Sequence, residues 1–259
     1  MGGREEGEYW NEVYGRIRLD DIRESLGYDC FNPVYNGVAR HSFRERVFAD
    51  AVASVKAKSA LVVGGGVDKL GITLATRGCH VTLLDLSAKA VELTQRLAAE
   101  TGVSERMHCV CGDWEQADLG QTCDLVVFHD SLHHMHFEPA LAQIHRHLSP
   151  SGVLLAMEPI CPTPWVRCLH QQFPFHPFPY LPTERELDLA DLRRIEAVLG
   201  KVELRFFDLL TRESLSVLLF RMGIRQSILS LGSLDAWLIE HVPGLKGFAS
   251  YVIVRATRT

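Results

Sequence analysis

The stretch from Leu61 to Asp85 decides the fold. It begins Leu61-Val62-Val63-Gly64-Gly65-Gly66 and ends Val81-Thr82-Leu83-Leu84-Asp85. One apolar run therefore ends in three glycines, and a second apolar run, after a short helical segment, ends in a carboxylate. Glycines at a strand end allow positive φ and let a ligand approach the main chain closely. A carboxylate about 20 residues further along is placed to bind ribose hydroxyls. This stretch predicts a nucleotide-type cofactor across the ends of two parallel strands.

Apolar runs and helical segments alternate from residue 59 to residue 160. The predicted strands are 59–64, 81–85, 107–111, 123–128 and 153–157, and the predicted helices are 68–77, 88–101 and 138–147. Ser87 is expected to cap the second of these helices, and residues 149–152 are expected to form a turn. Two further strands are predicted at 202–209 and 248–256. This alternation predicts an α/β fold of three layers, with a doubly wound, mainly parallel, seven-stranded sheet.

The regions on either side of this core have different patterns. Residues 1–58 contain aromatic clusters and a helical stripe, and we expect an N-terminal helical lid in which Tyr14 touches the ligand. Residues 59–160 form the expected cofactor-binding core. Residues 161–259 are expected to complete the sheet of this single domain and to cover the substrate. The helices predicted there are a short helix at 165–172, a helix that begins with a capping box at Thr183 and runs through Leu199, and apolar helices at 214–240 with a break near Gly232.

Composition limits the classes of partner and compartment. The chain has 259 residues, a net charge of −5 and no run rich in lysine or arginine, which argues against nucleic acid as the main partner. The seven cysteines form no CxxC pair, as is typical of reduced thiols in a cytoplasmic protein. The apolar region 216–239 is interrupted by charges, so no membrane span is expected. We expect a monomer or a homodimer.

Polar or glycine residues follow each of the first five predicted strands, where ligands bind in a parallel sheet. They are Gly64, Gly65, Gly66, Asp85 with Leu86, Asp113 with Trp114, His129 with Asp130, and Glu158. An ionised Asp85 offers two acceptor oxygens to ribose hydroxyls. Asp113 can accept the amine of an adenine and Trp114 can stack on it; the alternative is an ordinary turn with a buried indole. A dinucleotide oxidoreductase fits less well, because Lys69 stands where its fingerprint has a third glycine.

These elements, in this order, resemble the Rossmann-like (class I) S-adenosylmethionine-dependent methyltransferases of small-molecule type. The glycine motif falls on Val62–Asp68, the ribose carboxylate on Asp85, the adenine-side acid on Asp113, and the strand-four motif on Asp124–His134. The resemblance implies S-adenosyl-L-methionine as the cofactor. The residues expected to bind it are Gly64, Gly65, Gly66, Asp68, Asp85, Leu86, Asp113, Trp114, His129, Asp130 and Tyr14.

The chain departs from the family at two positions. Val62 replaces an acidic residue that helps to hold the methionine amino group in the family, and Asp68 replaces the last glycine of the loop. Asp68, Asp130 or an N-terminal group is expected to take over this contact.

Histidines crowd the loop after the fourth strand. A general base is one interpretation, because histidine can accept the proton of a hydroxyl or ammonium acceptor at neutral pH. His134 and His133, with Glu158, are the candidate catalytic residues; the alternative is that the two histidines only cap the loop. We expect no metal centre, because no metal-binding motif is present.

The sequence therefore predicts a methyltransferase that modifies O, N or C of a small, partly apolar metabolite in biosynthesis. A second hypothesis keeps the cofactor but attacks its aminocarboxypropyl carbon and releases methylthioadenosine. A third is a non-catalytic ligand-binding protein on the same fold.

Overall fold

The structure is a computed structural model of the chain. It describes residues 3–17, 43–67, 69–163, 184–209 and 225–259. Four predictions fall, wholly or in part, outside these residues. They are the cofactor contact of Asp68, the helix at 165–172, the capping residue Thr183, and the first part, 214–224, of the predicted helical region 214–240.

The described residues contain seven α-helices and seven strands, together with four short 3-10 helices. The helices are α1 (Gly3–Gly15), α2 (Phe43–Ser54), α3 (Lys69–Thr76), α4 (Ala88–Glu100), α5 (Phe137–His147), α6 (Leu189–Leu199) and α7 (Arg225–His241). The strands are β1 (Ser59–Val63), β2 (His80–Asp85), β3 (Met107–Cys111), β4 (Cys123–His129), β5 (Leu148–Pro159), β6 (Gly200–Phe207) and β7 (Tyr251–Arg258). Every predicted strand is present, and Ser87 caps α4 by accepting a hydrogen bond from the Ala90 N–H.

The seven strands form one sheet in the order β3-β2-β1-β4-β5-β7-β6. β1 to β5 are parallel, and β7 lies antiparallel between β5 and β6. The predicted fold class is confirmed. Strand order reverses at β1, whose neighbours β2 and β4 lead the chain to opposite sides, so a crevice opens at their carboxyl ends.

The core lies on both faces of the sheet because successive strand residues point to opposite sides. Val62 of β1 packs in the cluster that contains Leu93 of α4 and Phe48 of α2. Its neighbours Leu61 and Val63 pack in the cluster that contains side chains of α5 and α6. The central strands are therefore apolar along their length, and polar side chains gather only at their ends.

Three local predictions were wrong. Residues 149–152 continue β5, with Ser151 at φ 63°. α6 begins with a capping box of Asp188 and Asp191, because residue 187 instead pairs through its backbone with residues 159 and 161. α7 continues through Gly232, where a Cβ atom would lie 2.8 Å from that of Phe43, so this glycine permits close packing of α7 on α2. Within the described residues, none of the helices combines the length and apolarity needed to span a bilayer.

Candidate active site

Asp85 and the glycine loop form one end of the site. The Gly66 N–H donates to Asp85 Oδ2 at 2.8 Å, and the Ser87 N–H donates to Oδ1 at 2.8 Å. Burial raises the pKa of Asp85 to about 6, although both backbone hydrogen bonds act to lower it. Each carboxylate oxygen can accept a further hydrogen bond. The pair of oxygens beside the glycine loop can therefore accept two hydroxyl groups.

Helix α1 lies across this end of the site. The Tyr14 hydroxyl lies against Gly66, where an added Cβ atom would overlap it, and Gly66 has φ 57°. Asn11 Oδ1 accepts hydrogen bonds from the Lys89 N–H at 3.0 Å and the Ser87 hydroxyl at 2.8 Å. The Leu86 carbonyl also lies against α1. Helix α1 thus covers the ends of β1 and β2, and only a glycine at position 66 leaves room for the Tyr14 side chain.

Asp113 and Trp114 follow β3 but behave differently from each other. Asp113 accepts a hydrogen bond from the Glu115 N–H at 2.9 Å and stays partly exposed. Trp114 is 2% exposed, and its Nε1–H donates to the Ala140 carbonyl at 3.3 Å. The indole is therefore part of the core beneath α5. The structure matches the alternative of a turn with a buried indole, and it does not present this ring for stacking on an adenine.

The loop after β4 packs directly on the glycine loop. The Ser131 hydroxyl donates to the Val63 carbonyl at 2.7 Å. A Cβ atom at Gly64, which has φ 63°, would lie 2.6 Å from Ser131 Cβ. Because these two loops touch, a ligand on Asp85 and the glycines extends naturally towards the residues that follow β4.

Glu158 organises that loop from beneath. This fully buried carboxylate accepts hydrogen bonds from the backbone N–H groups of Ser131, Leu132 and His133, at 3.1, 2.9 and 3.3 Å. It also meets His133 Nδ1 at 2.7 Å. Nδ1 therefore carries the proton, and Nε2 is left as the basic nitrogen. Burial lowers the pKa of His133, but the hydrogen bond and charge of Glu158, together with other nearby carboxylates, outweigh this effect and raise the pKa overall.

His134 faces α1 instead. Its ring centroid lies 4.2 Å from that of His133 and 5.8 Å from that of Trp10. Its Nδ1 lies 3.1 Å from Glu6 Oε1 and 3.7 Å from Glu184 Oε1. The imidazole of His134 thus contacts α1, where the buried Glu6 faces it, whereas the fully buried Glu158 of β5 faces His133.

A second buried cluster lies at the end of β4, against α2. His129 Nε2 is 2.9 Å from Glu45 Oε2, and the ring of Phe48 stacks on the imidazole. Asp130 follows with φ 50°, and burial raises its pKa to about 6, against the lowering charges of His129 and Arg44. Glu45 was not predicted as a site residue, because in the sequence it is only the middle one of three charged residues, 44–46, in the helical stripe of the N-terminal region.

The structure thus gathers most of the predicted site residues at one edge of the sheet. They are Tyr14, Gly64, Gly65, Gly66, Asp85, Leu86, Asp113, His129, Asp130, His133, His134 and Glu158. Trp114 is turned into the core, and the position of Asp68 lies outside the described residues. Most of the acidic and imidazole groups lie at the β4–β5 end, and the carboxylate of Asp85 lies at the β2 end.

Comparison with known proteins points to one family. Residues 60–152 match a family model described as "Methyltransferase domain". The tRNA 5-carboxymethoxyuridine methyltransferase of Escherichia coli (strain K12) is 29% identical over 149 residues, which cover 54% of this chain and 55% of that protein. The chain thus spans about half the length of this curated relative.

Solved structures share the fold at low sequence identity. The [4+2]-cyclase SpnF is 15% identical with a TM-score of 0.59, over 99% of this chain and 96% of that one. Magnesium protoporphyrin IX methyltransferase from Synechocystis PCC 6803, with bound SAH, is 18% identical with a TM-score of 0.57, over 98% of each chain.

Proposed function

We propose that this chain, whose residues 60–152 match the methyltransferase domain model, is an S-adenosylmethionine-dependent enzyme that transfers a methyl group to a small, partly apolar acceptor and uses His133 as the general base. The observation that carries this proposal is the pairing of His133 with the buried Glu158 beside the glycine loop. The match to the methyltransferase domain model agrees with the predicted family; the cofactor, the acceptor and the residue roles are our proposal.

The cofactor is proposed to lie along the edge from β2 to β4. Asp85 would accept the two ribose hydroxyls, and the main chain of Gly64, Gly65 and Gly66 would line the path towards Ser131. Asp113 would accept the adenine amine, because its carboxylate stays partly exposed after β3. Tyr14 would close the cofactor path from α1, since its hydroxyl already lies against the glycine loop.

The catalytic step needs positioning and one proton transfer. S-adenosylmethionine, when bound, supplies an electrophilic methyl group on a sulfonium sulfur. His133 Nε2 would take the proton of an acceptor hydroxyl during the attack, or of an ammonium before it. The acceptor lone pair would then form the bond to the methyl carbon while the carbon–sulfur bond breaks and S-adenosylhomocysteine leaves. Glu158 fixes the ring through Nδ1–H and stabilises the imidazolium that forms, as an orienting acid does beside a histidine base. His134 would contribute to acceptor contacts rather than to the proton transfer.

A small acceptor is favoured over a nucleic acid by the charges around the base. Glu6 and Glu184 lie beside His134, and the buried Arg44 of this region is already paired with Asp208. Nucleic-acid phosphates are bound mainly by lysine and arginine. Trp10 adds an aromatic surface near the two histidines. The similarity to a tRNA methyltransferase keeps tRNA as the competing acceptor to be tested.

The first experiment is calorimetric binding of S-adenosylmethionine and S-adenosylhomocysteine, followed by mass spectrometry of the mixture. We expect both to bind without consumption until an acceptor is present. Methylthioadenosine formed from the cofactor alone would instead favour attack on the aminocarboxypropyl carbon. Absence of binding would contradict both enzymatic hypotheses.

The acceptor is then tested with radiolabelled cofactor against a panel of phenols, alcohols and amines and against total tRNA. We expect label in a small molecule, and transfer lost in His133→Asn but retained in the exposed control His136→Asn. Label in tRNA would overturn the acceptor class while leaving the methyltransferase assignment intact.

A further inference from the structure

We propose that Glu45, His129 and Asp130 bind a divalent metal cation at the carboxyl end of β4. The inference does not depend on the proposed methyl transfer. Each residue offers one ligand atom, and the three atoms lie within 4.8 Å of one another. They come from two elements that pack together, the first turn of α2 and the end of β4, and Glu45 and His129 are 84 positions apart in the sequence.

The geometry of the imidazole is fixed as a metal ligand requires. Phe48 stacks on the His129 ring with centroids 5.4 Å apart and an angle of 15° between the planes. This contact directs Nε2 towards Glu45 Oε2 at 2.9 Å. A metal ion can replace a shared proton between an imidazole and a carboxylate, because both groups bind metals through the same lone pairs.

The charges of the cluster call for a cation. Glu45 already meets His129, but the Asp130 Oδ1 atom is buried and has no hydrogen-bond partner in the described part of the chain. Arg44 is shared among several groups: its guanidinium is paired with Asp208, its Nε lies 3.8 Å from Glu45 Oε1, and it lies over the Tyr251 ring. Of the two carboxylates, Asp130 is therefore the one with an unsatisfied buried oxygen, which is costly in a protein interior. A divalent ion would neutralise both.

The donor set indicates the class of metal. Two carboxylates and one imidazole suit Mn²⁺, Fe²⁺ or Zn²⁺, whereas Ca²⁺ and Mg²⁺ favour oxygen ligands alone. Three protein ligands also leave coordination positions for water or another oxygen ligand.

The test uses the whole chain without S-adenosylmethionine and Mn²⁺ as the probe. Calorimetry and electron paramagnetic resonance should report one bound Mn²⁺ for each chain. His129→Asn and Asp130→Asn should each weaken binding by about tenfold or more, because each removes a direct ligand. Asparagine tolerates positive φ, so Asp130→Asn keeps the backbone conformation at this position.

The matched control is His136→Asn. His136 forms the same kind of histidine–carboxylate pair, with Glu115 at 2.9 Å, but its side chain is 82% exposed. It should bind Mn²⁺ like the wild type. Absence of Mn²⁺ binding, or binding that is unchanged in Asp130→Asn, would overturn the proposal.

A parallel titration with S-adenosylmethionine separates this proposal from the proposed function. If Asp130→Asn weakens cofactor binding while the wild type binds no Mn²⁺, the unpaired carboxylate serves the ammonium of the cofactor and the metal proposal fails. If the wild type binds Mn²⁺ but no cofactor, the metal site stands and the proposed function fails.

Discussion

Replacing Asp85 by asparagine tests the cofactor end of the site. The two oxygens of this carboxylate would each accept a ribose hydroxyl, and a hydrogen bond to a charged group contributes about 1.5–3 kcal/mol. The amide keeps one acceptor oxygen and turns an N–H donor towards the backbone N–H of Gly66 or Ser87. We expect a net loss of about 3 kcal/mol, which is roughly a hundredfold increase in Kd for S-adenosylmethionine.

The pH dependence of S-adenosylmethionine affinity is a second test of the role of Asp85. Asp85 has its pKa raised from 3.8 to about 6. Since hydroxyl donors prefer the ionised carboxylate, affinity should rise by about tenfold from pH 5 to pH 7 in the wild type. The asparagine variant should lack this step.

Folding stability should change in the opposite direction. A carboxyl group with a raised pKa in the folded state destabilises the fold as pH rises from about 4 to about 6, here by roughly 3 kcal/mol at neutral pH. Removing that charge offsets the mismatched amide, so the Tm of Asp85→Asn at pH 7 should stay close to that of the wild type. A loss of affinity would then not come from unfolding.

Calorimetric titration at several pH values is the assay. Asp118→Asn is the control, because the Asp118 side chain is 64% exposed and its contacts, with Arg146 and the Gly120 N–H, lie at the surface. An asparagine variant that folds and binds S-adenosylmethionine within threefold of the wild type would refute the ribose assignment. So would a wild-type affinity that falls as pH rises through 6.

Three further substitutions test other parts of the site. Glu158→Gln should lower kcat by more than tenfold with little change in cofactor affinity, and should move the acid limb of the kcat profile to lower pH, because His133 loses the carboxylate that raises its pKa. Gly66→Ala should weaken cofactor binding and make α1 more susceptible to protease, because the new methyl group would displace Tyr14. Gly120 has a similar φ of 62° but open surroundings, so Gly120→Ala should lower the free energy of unfolding only by the backbone strain, about 1 kcal/mol. Trp114→Phe should reduce the free energy of unfolding by about 1–3 kcal/mol without changing cofactor affinity, since the indole is buried and bonded to the main chain; weaker cofactor binding in that variant would revive the stacking interpretation.

The sheet and one half of the site follow from local sequence. Apolar runs that end in glycine or aspartate specify β1 and β2, and residues at strand ends must share one edge of a parallel sheet, so Gly66 and Asp85 were predictable as neighbours. The Glu158–His133 contact follows from the same rule, because β4 and β5 are adjacent.

Other features depend on tertiary contacts that no local pattern encodes. Thr183 and Asp188 are both plausible helix caps, and backbone pairing of Leu187 with the end of β5 decides between them. Gly232 resembles a helix break until packing against Phe43 is known. The Glu45–His129 contact joins a helix that precedes the sheet to the end of β4, and periodicity cannot reveal such a pairing.

The position of β7 has a consequence for how the site is assembled. The strand pairs with β5 on one side, opposite Glu158 at Val252, and with β6 on the other. The strands that carry the glycine loop and Asp85 lie in residues 59–129, where β1 pairs with β2 and β4, and β2 pairs with β3. Glu158, which lies beneath His133, belongs to β5, and the second edge of β5 stays unpaired until β7 inserts. The two paired residues are roughly 90 positions apart in the chain, and contacts between such distant segments form slowly. A chain in which β7 has not yet paired would therefore hold the glycine loop and Asp85 in place before β5 is fixed along both edges beneath His133.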